Sequence, residues 1–312
     1  MNAILPDEAS VLARLMAWGQ GRPEIRAMIL TSSRTRPDGP VDLLSDYDVI
    51  LAVTDAGRFA QEDAWVQDYG PPMVRWGDQS TLYGRTTYFR GVVYADYIKI
   101  DYSIWPEDLL EQVAAQSGLP DQLDVGYRVL LDKEGRTAAW KPPTYRAHIP
   151  ARPTEAEYRA LVEEFWWETT YVAKSLWRDE LMFARYSLDC VIKLDLMRQM
   201  LEWRIELDHD WSFKPGVNGR GLKPQLPADI WAEFVSGYVG PEIEANWAAL
   251  FRTTALFRRV AMEVGAALGY AYPQTVDDQV SAYLNAVRNM PPGSGPPVAE
   301  GPNHIGGFSC LA

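Results

Sequence analysis

Four prolines fall between Lys141 and Pro153, in Lys141-Pro142-Pro143-Thr144 and Ile149-Pro150-Ala151-Arg152-Pro153. Proline holds φ at about −65° and lacks the N–H that helix and sheet ladders need, so this density excludes a helix or strand interior. The window reads as a linker, and the hydropathy pattern changes across it. Upstream, short apolar runs alternate with turn residues; downstream, apolar residues recur at i, i+3 and i+4. The pattern predicts an α+β chain: a strand-bearing domain over 1–140, a linker over 141–153, a helical domain over 154–290, and a tail over 291–312. The tail opens with Pro291-Pro292-Gly293-Ser294-Gly295-Pro296-Pro297, a composition that argues for disorder.

In the first domain, Val11, Leu12, Leu15 and Met16 at helical spacing before Gly21 predict a helix from Pro6 to Gln20. Strands are expected at Ile25–Thr31 and Asp46–Val53, joined through Ser32-Ser33-Arg34 and the polar stretch Pro37-Asp38-Gly39-Pro40. Thr86–Arg90 and Val92–Ile104 alternate on either side of Gly91, which reads as a hairpin about that glycine. The second domain is expected to carry helices over Thr154–Arg178, Leu181–Leu207, Leu226–Gly237 and Pro241–Leu268, the last capped by Gly269. A further helix, N-capped by Thr275, is expected to end near Asn289.

With 47% hydrophobic and 23% charged residues among 312, the chain can bury a core and is neither fibrous nor wholly disordered. No apolar run reaches membrane-spanning length, and Met1 to Glu8 show no basic flank or apolar signal core, so the expected address is the cytoplasm. Cys190 and Cys310 are too few for a disulfide framework, and His148, His209 and His304 have no zinc spacing. Cys190, inside an expected helix, reads as a buried inert thiol, and Trp203, Trp231 and Trp247 as core. A net charge of −12 serves solubility and repels polyanions, so no nucleic acid partner is expected and a cationic small molecule is favoured. The chain is expected to act as a monomer.

The segment that carries chemistry is Thr31-Ser32-Ser33-Arg34 followed by Leu44-Ser45-Asp46-Tyr47-Asp48-Val49. Residues at i and i+2 of a strand share a face, so Asp46 and Asp48 can share a hard divalent ion such as magnesium; the same pattern also marks solvated strand ends. Backbone N–H groups and hydroxyls at Ser32 and Ser33 can cradle phosphates, with Arg34 adding a charge. In Tyr97-Ile98-Lys99-Ile100-Asp101-Tyr102-Ser103-Ile104, the isoleucines alternate away from Asp101 and set it on the polar face, where it can complete a carboxylate triad. Asp96 lies at the other parity.

The Ser-Ser-Arg turn, the Asp46-Tyr47-Asp48 strand and Asp101 resemble the polymerase-β-type nucleotidyltransferase core. More narrowly, the chain resembles the aminoglycoside (streptomycin) 6-adenylyltransferase family, through Glu164-Phe165-Trp166-Trp167, Met200-Leu201-Glu202-Trp203, Asn246-Trp247-Ala248-Ala249-Leu250-Phe251 and Tyr283-Leu284-Asn285-Ala286-Val287-Arg288. The resemblance implies an N-terminal nucleotidyltransferase domain, a mixed β-sheet flanked by helices, and a C-terminal α-helical bundle that binds the acceptor. It implies transfer of AMP from ATP to an aminoglycoside hydroxyl with release of pyrophosphate, Asp46 and Asp48 holding one or two magnesium ions and Asp101 acting as third ligand or general base. One departure stands out: the family's turn commonly reads Gly-Ser-Arg, and Ser32 here takes the glycine's place.

On the helix through Glu168, the stripe Glu164, Trp167, Glu168, Tyr171, Lys174 and Arg178 lies opposite the apolar set Val162, Phe165, Trp166, Thr169, Val172, Ala173 and Leu176. Trp167 and Tyr171 can lie against sugar rings or a cation, Glu164 and Glu168 can pair with ammonium or guanidinium groups, and Lys174 can meet a triphosphate. Interdomain packing and i,i+4 ion pairs would use the same stripe. Two other functions fit the chain: a nucleotidyltransferase for a non-aminoglycoside hydroxyl, and a non-catalytic nucleotide-binding protein.

Overall fold

A computed structural model describes residues 6–37, 39 and 41–291. The chain divides into two compact units, Met1–His148 and Ile149–Ala312, and each has its own apolar core.

The first unit opens with helix α1 (Glu8–Gln20), whose first-turn N–H of Ser10 is capped by the Asp7 carboxylate at 2.8 Å. Six strands follow: β1 (Ile25–Thr31), β2 (Tyr47–Val53), β3 (Pro72–Leu82), β4 (Arg85–Tyr94), β5 (Lys99–Pro106) and β6 (Tyr127–Asp132). They form one mixed sheet in the order β3-β4-β5-β2-β1-β6, in which only the β2–β5 pair is parallel. β1 and β2 are central and covered on both faces, which is why both read as near-continuous apolar runs. Val11 and Leu15 of α1 pack with Met28, Leu30, Val49, Leu51 and Ile100 on one face. Ala27, Ile29, Ile50 and Ala52 pack with Trp105 and with Leu109, Leu110 and Val113, the buried residues of a helix (α2, Leu109–Ala115), on the other.

The hairpin expected about Gly91 is not there. The chain turns at Tyr83-Gly84, where φ is 48° and 76°, the left-handed pair that a two-residue hairpin needs. Gly91 instead lies within β4, paired with Trp76 of β3 and Asp101 of β5. The sequence hides β3 because it is an edge strand whose residues are almost all exposed, so no apolar alternation marks it.

The second unit is helical. Helix α3 (Glu155–Trp177) starts in a capping box, with Thr154 and Glu157 each bonding the other's backbone N–H, and buries Val162, Phe165, Trp166, Thr169, Val172, Ala173 and Leu176. A continuous helical run follows as Leu181–Arg185, the π-helical segment Tyr186–Met197, and Arg198–His209. Cys190, expected to be buried, is exposed. The i→i+5 turns of the π segment shift which residues share a face, and the core receives Ser187, Leu188, Ile192 and Lys193 instead. Helices α4 (Ala228–Ser236), α5 (Ile243–Leu268) and α6 (Gln274–Asn289) complete the unit. Gly269 caps α5 at φ 80°, as expected, whereas α6 begins one residue before Thr275, with Pro273 at its N-cap. Trp203 and Trp247 are buried and Trp231 packs on the same core. Of the tail expected over 291–312, residues 292–312, with His304 and Cys310, lie outside the described residues.

One buried polar network joins three helices of this unit. Asp277 on α6 is 1% exposed and receives Arg258 of α5 through two bonds of 2.5 and 2.6 Å, Ser281 at 2.9 Å and the Tyr272 hydroxyl at 2.8 Å; Trp166 of α3 donates in turn to Tyr272 at 3.0 Å. Burial opposes the Asp277 charge, but those donors outweigh it and hold the carboxyl below its ordinary range. Its stabilising effect is therefore present above an unfolded carboxyl's pKa and is lost as pH falls through the depressed folded value. Asp277→Asn is expected to cost about 2–4 kcal/mol at pH 7, read from urea unfolding of the full chain, with the deficit shrinking below about pH 4.

Candidate active site

The parallel pairing of β2 with β5 sets Asp48 directly opposite Asp101. Asp46 precedes Asp48 by two residues and Lys99 precedes Asp101 by two, so all four lie toward one face. The buried isoleucines 98, 100 and 104 occupy the other parity of the β5 segment, as the alternation predicts. The Lys99 ammonium bridges the acids, donating to Asp46 Oδ2 at 2.6 Å and Asp101 Oδ2 at 2.8 Å. Burial disfavours that ammonium, yet the two carboxylates prevail and raise its pKa. Asp48 is pushed up to about 6, first by burial and then by the charges of Asp101 and Asp46, against smaller opposing effects of Lys99 and the Ser32 hydroxyl.

The small-residue turn stands beside these acids. β1 ends at Thr31, which pairs with Asp48, and the chain enters a 3₁₀ turn over Ser32–Thr35. Ser32 has φ 68°, the left-handed region where glycine pays no steric cost and serine does. Arg34 has its partners within the site itself. Its guanidinium is 6% exposed, stacked at 3.8 Å on the Tyr47 ring, and committed to the Asp46 carbonyl (3.0 Å), the Ser45 carbonyl (2.6 Å) and Glu8 (3.0 Å). It fastens the loop that delivers Asp46. Ser33, in the same turn, is half-buried. Asp96 is held by Arg14 at 2.6 Å, away from the triad's parity.

The arrangement suits a hard divalent cation. Three carboxylates face one lysine, Asp101 Oδ1 is buried with no hydrogen-bond partner, and Asp48 resists ionisation where it stands. Among the described residues no three acidic, His or Cys side chains are gathered into a ready ligand cluster; the cation between Asp46 and Asp101 is Lys99. Sequence reasoning passed over Lys99 and Gly91, although both fall at the parity of Asp101.

In the helical unit the stripe on α3 carries a second group of side chains. Trp167 is 60% exposed and meets Tyr171 edge-on, and Tyr171 in turn meets Phe183. Lys174 sits 4.3 Å above the Tyr171 ring, and Arg178 lies 4.0 Å from Glu180. Burial, reinforced by the neighbouring Glu164, raises the pKa of Glu168. Phe183, exposed with Met182 and Tyr186, extends the aromatic surface and was legible only as part of a helix.

The chain matches the streptomycin adenylyltransferase family over residues 6–287. It belongs to that family. Membership makes it an enzyme of the nucleotidyltransferase class, in keeping with the acid-bearing strands. An aminoglycoside 6-adenylyltransferase of Campylobacter jejuni is 28% identical over 280 residues, 89% of this chain and 94% of that protein. One from Bacillus subtilis is 30% identical over 268 residues, 84% of this chain and 91% of its own length. A crystal structure of a Bacillus subtilis aminoglycoside 6-adenyltransferase aligns with 92% of this chain and 100% of its own, at 25% identity and a TM-score of 0.46.

The raised pKa of Asp48 has a sign. The native state holds the Asp48 proton more tightly than the unfolded chain does, so its ionisation costs stability, a cost absent below about pH 4 and complete above about pH 6. Asp48→Asn is expected to stabilise the metal-free protein by about 2–3 kcal/mol at pH 8 and to give no gain near pH 4, measured by urea unfolding in a chelator. Ser32→Gly removes the left-handed strain and is expected to add about 0.5–1 kcal/mol in the same assay.

Proposed function

We propose that the protein transfers AMP from ATP to a hydroxyl of an aminoglycoside, streptomycin first among the acceptors to test, with magnesium as the ion and pyrophosphate as the product. The observation that carries this reading is the Asp46–Asp48–Asp101 face, found in a chain of this family. Asp46 and Asp48 would hold magnesium, with Asp101 either completing the set or taking the proton of the attacking hydroxyl. Bound magnesium supplies charge neutralisation on the phosphate oxygens as pyrophosphate leaves.

The other roles fall to residues of each unit. Backbone N–H groups and hydroxyls of the Ser32-Ser33 turn would receive the β- and γ-phosphates, while Arg34 keeps Asp46 in place. Lys174 is assigned to the triphosphate. Glu164, Trp167, Glu168 and Tyr171 would receive the ammonium or guanidinium groups and sugar faces of the acceptor, with Arg178 at the end of the stripe. A net charge of −12 favours approach of a polycation and disfavours nucleic acid. Among the described residues no helix is long and apolar enough to cross a membrane.

Incubation with ATP, magnesium and a panel of aminoglycosides, followed by mass spectrometry, is expected to show one adenylyl group added to streptomycin. Asp48→Asn, folded as above, should lower the rate by on the order of 10³-fold. No adduct on any drug, with magnesium-dependent ATP binding intact, would move the reading to another hydroxyl acceptor.

A further inference from the structure

Pairing across four strands puts Asp48, Asp101, Gly91 and Trp76 in one row on one face of the sheet. Paired residues of neighbouring strands point the same way, so Trp76 stands two strands beyond Asp101, about 10 Å along the row. The residue between them has no side chain. A Cβ at Gly91 would lie 3.0 Å from Asp101 Oδ1 and 3.1 Å from the Phe89 ring. The space left open is a groove of about 360 Å³ whose lining combines apolar and aromatic side chains with Arg75, Lys99 and Asp101. Trp76 and Phe89, 5.7 Å apart between ring centroids, form one wall, Val74 and Val93 another, and Lys99 with Asp101 the polar end. Trp76 is 63% exposed on an edge strand, where a large aromatic ring gains little from packing. Asp78, exposed and two residues along β3, shares its face.

We infer that this β3–β4 groove is the subsite for the acceptor ring that bears the attacking hydroxyl, with an ammonium or guanidinium group of that ring over Trp76 and near Asp78. The inference rests on the proposed adenylyl transfer and adds to it the place where the acceptor lies. The argument is directional. The phosphate turn Ser32–Thr35 adjoins the acids from the β1 side, and β5, β4 and β3 extend on the other. Displacement at phosphorus is in line, so a hydroxyl that expels pyrophosphate toward the turn must approach from the opposite side. The groove lies on that side. The unpartnered Asp101 Oδ1 borders its floor, where it can accept the proton as the hydroxyl oxygen bonds to the α-phosphorus and the bond to pyrophosphate breaks. An indole face attracts cations and the C–H face of a sugar; Asp101 borders the groove beside Lys99 and Arg75, and Asp78 shares the face of Trp76 outside it.

Trp76→Ala and Trp76→Phe test the assignment in the full-length protein. Titration calorimetry with streptomycin alone, and separately with magnesium-ATP alone, reads binding; steady-state kinetics reads KM against kcat. Trp76→Ala is expected to weaken streptomycin binding and raise its KM about tenfold, while Trp76→Phe restores most of the loss and ATP affinity stays within about twofold. Unchanged streptomycin binding in Trp76→Ala overturns the subsite, and so does a loss of ATP affinity instead, which would make the groove the nucleobase pocket. If wild type binds streptomycin through Trp76 yet transfers no AMP, the subsite stands and the proposed reaction fails. If wild type transfers AMP and Trp76→Ala matches it in KM, the subsite fails and the reaction stands.

Discussion

Everything distinctive in the first unit depends on one parallel strand pair. β2 beside β5 brings Asp48 level with Asp101, and the residues two earlier on each strand, Asp46 and Lys99, fall into the same patch. Burial, and then like charges in one patch, disfavour ionisation there, and Asp48 registers the cost in its elevated pKa. The surroundings hold the arrangement regardless. Both central strands are packed on two faces, and Arg34 pins the loop ahead of Asp46 through two carbonyls and the Tyr47 ring. Lys99 neutralises part of the charge, and Asp101 Oδ1 remains without a hydrogen-bond partner. Strain kept at a functional site and offset by the surrounding core is the general pattern here.

The helical unit solves the opposite problem. Two of its buried charges are matched: Asp277 with Arg258, and Lys193 with Asp189 at 2.7 Å and the Gly237 carbonyl at 2.5 Å, whereas Glu206, fully buried, keeps Oε1 without a partner and its pKa is raised, first by burial. Satisfied networks of this kind fix how helices pack and leave little free charge inside. On the surface of α3, Glu168 is held near Glu164 and a run of aromatic rings is left open. Acidic and aromatic side chains together make a surface suited to a cationic polyol. The same combination recurs around Trp76 and Asp78 in the first unit.

The sequence was most legible where burial imposed a period. Ile25–Thr31 is the strand expected, residue for residue, because a two-sided core demands unbroken apolar residues. The alternation of Ile98, Ile100 and Ile104 against Asp101 set Asp101 on the face that also carries its strand partner Asp48. Gly269 marked a helix end through capping chemistry that is local by nature, whereas Thr275, expected as an N-cap, lies inside its helix. Reading failed where the deciding contact was distant. Gly91 looks like a turn, but its reason for being glycine is Asp101 on the next strand. Cys190 looks like a core thiol, but the π segment around it is set by packing within the helical unit.

The sequence alone determined the two kinds of architecture, the strand that carries Asp48 (though it begins at Tyr47, one residue after Asp46), the face on which Asp101 sits, and the family, because these rest on periodicity and on short motifs. Only the tertiary structure decided that Lys99 stands between the acids, that Arg34 serves the loop, and that β3 carries Trp76 into line with Asp48 and Asp101. The physical reason is register. Which residues meet across a sheet is set by pairing between strands far apart in the chain, and a shift of one residue would turn every one of these side chains to the other face.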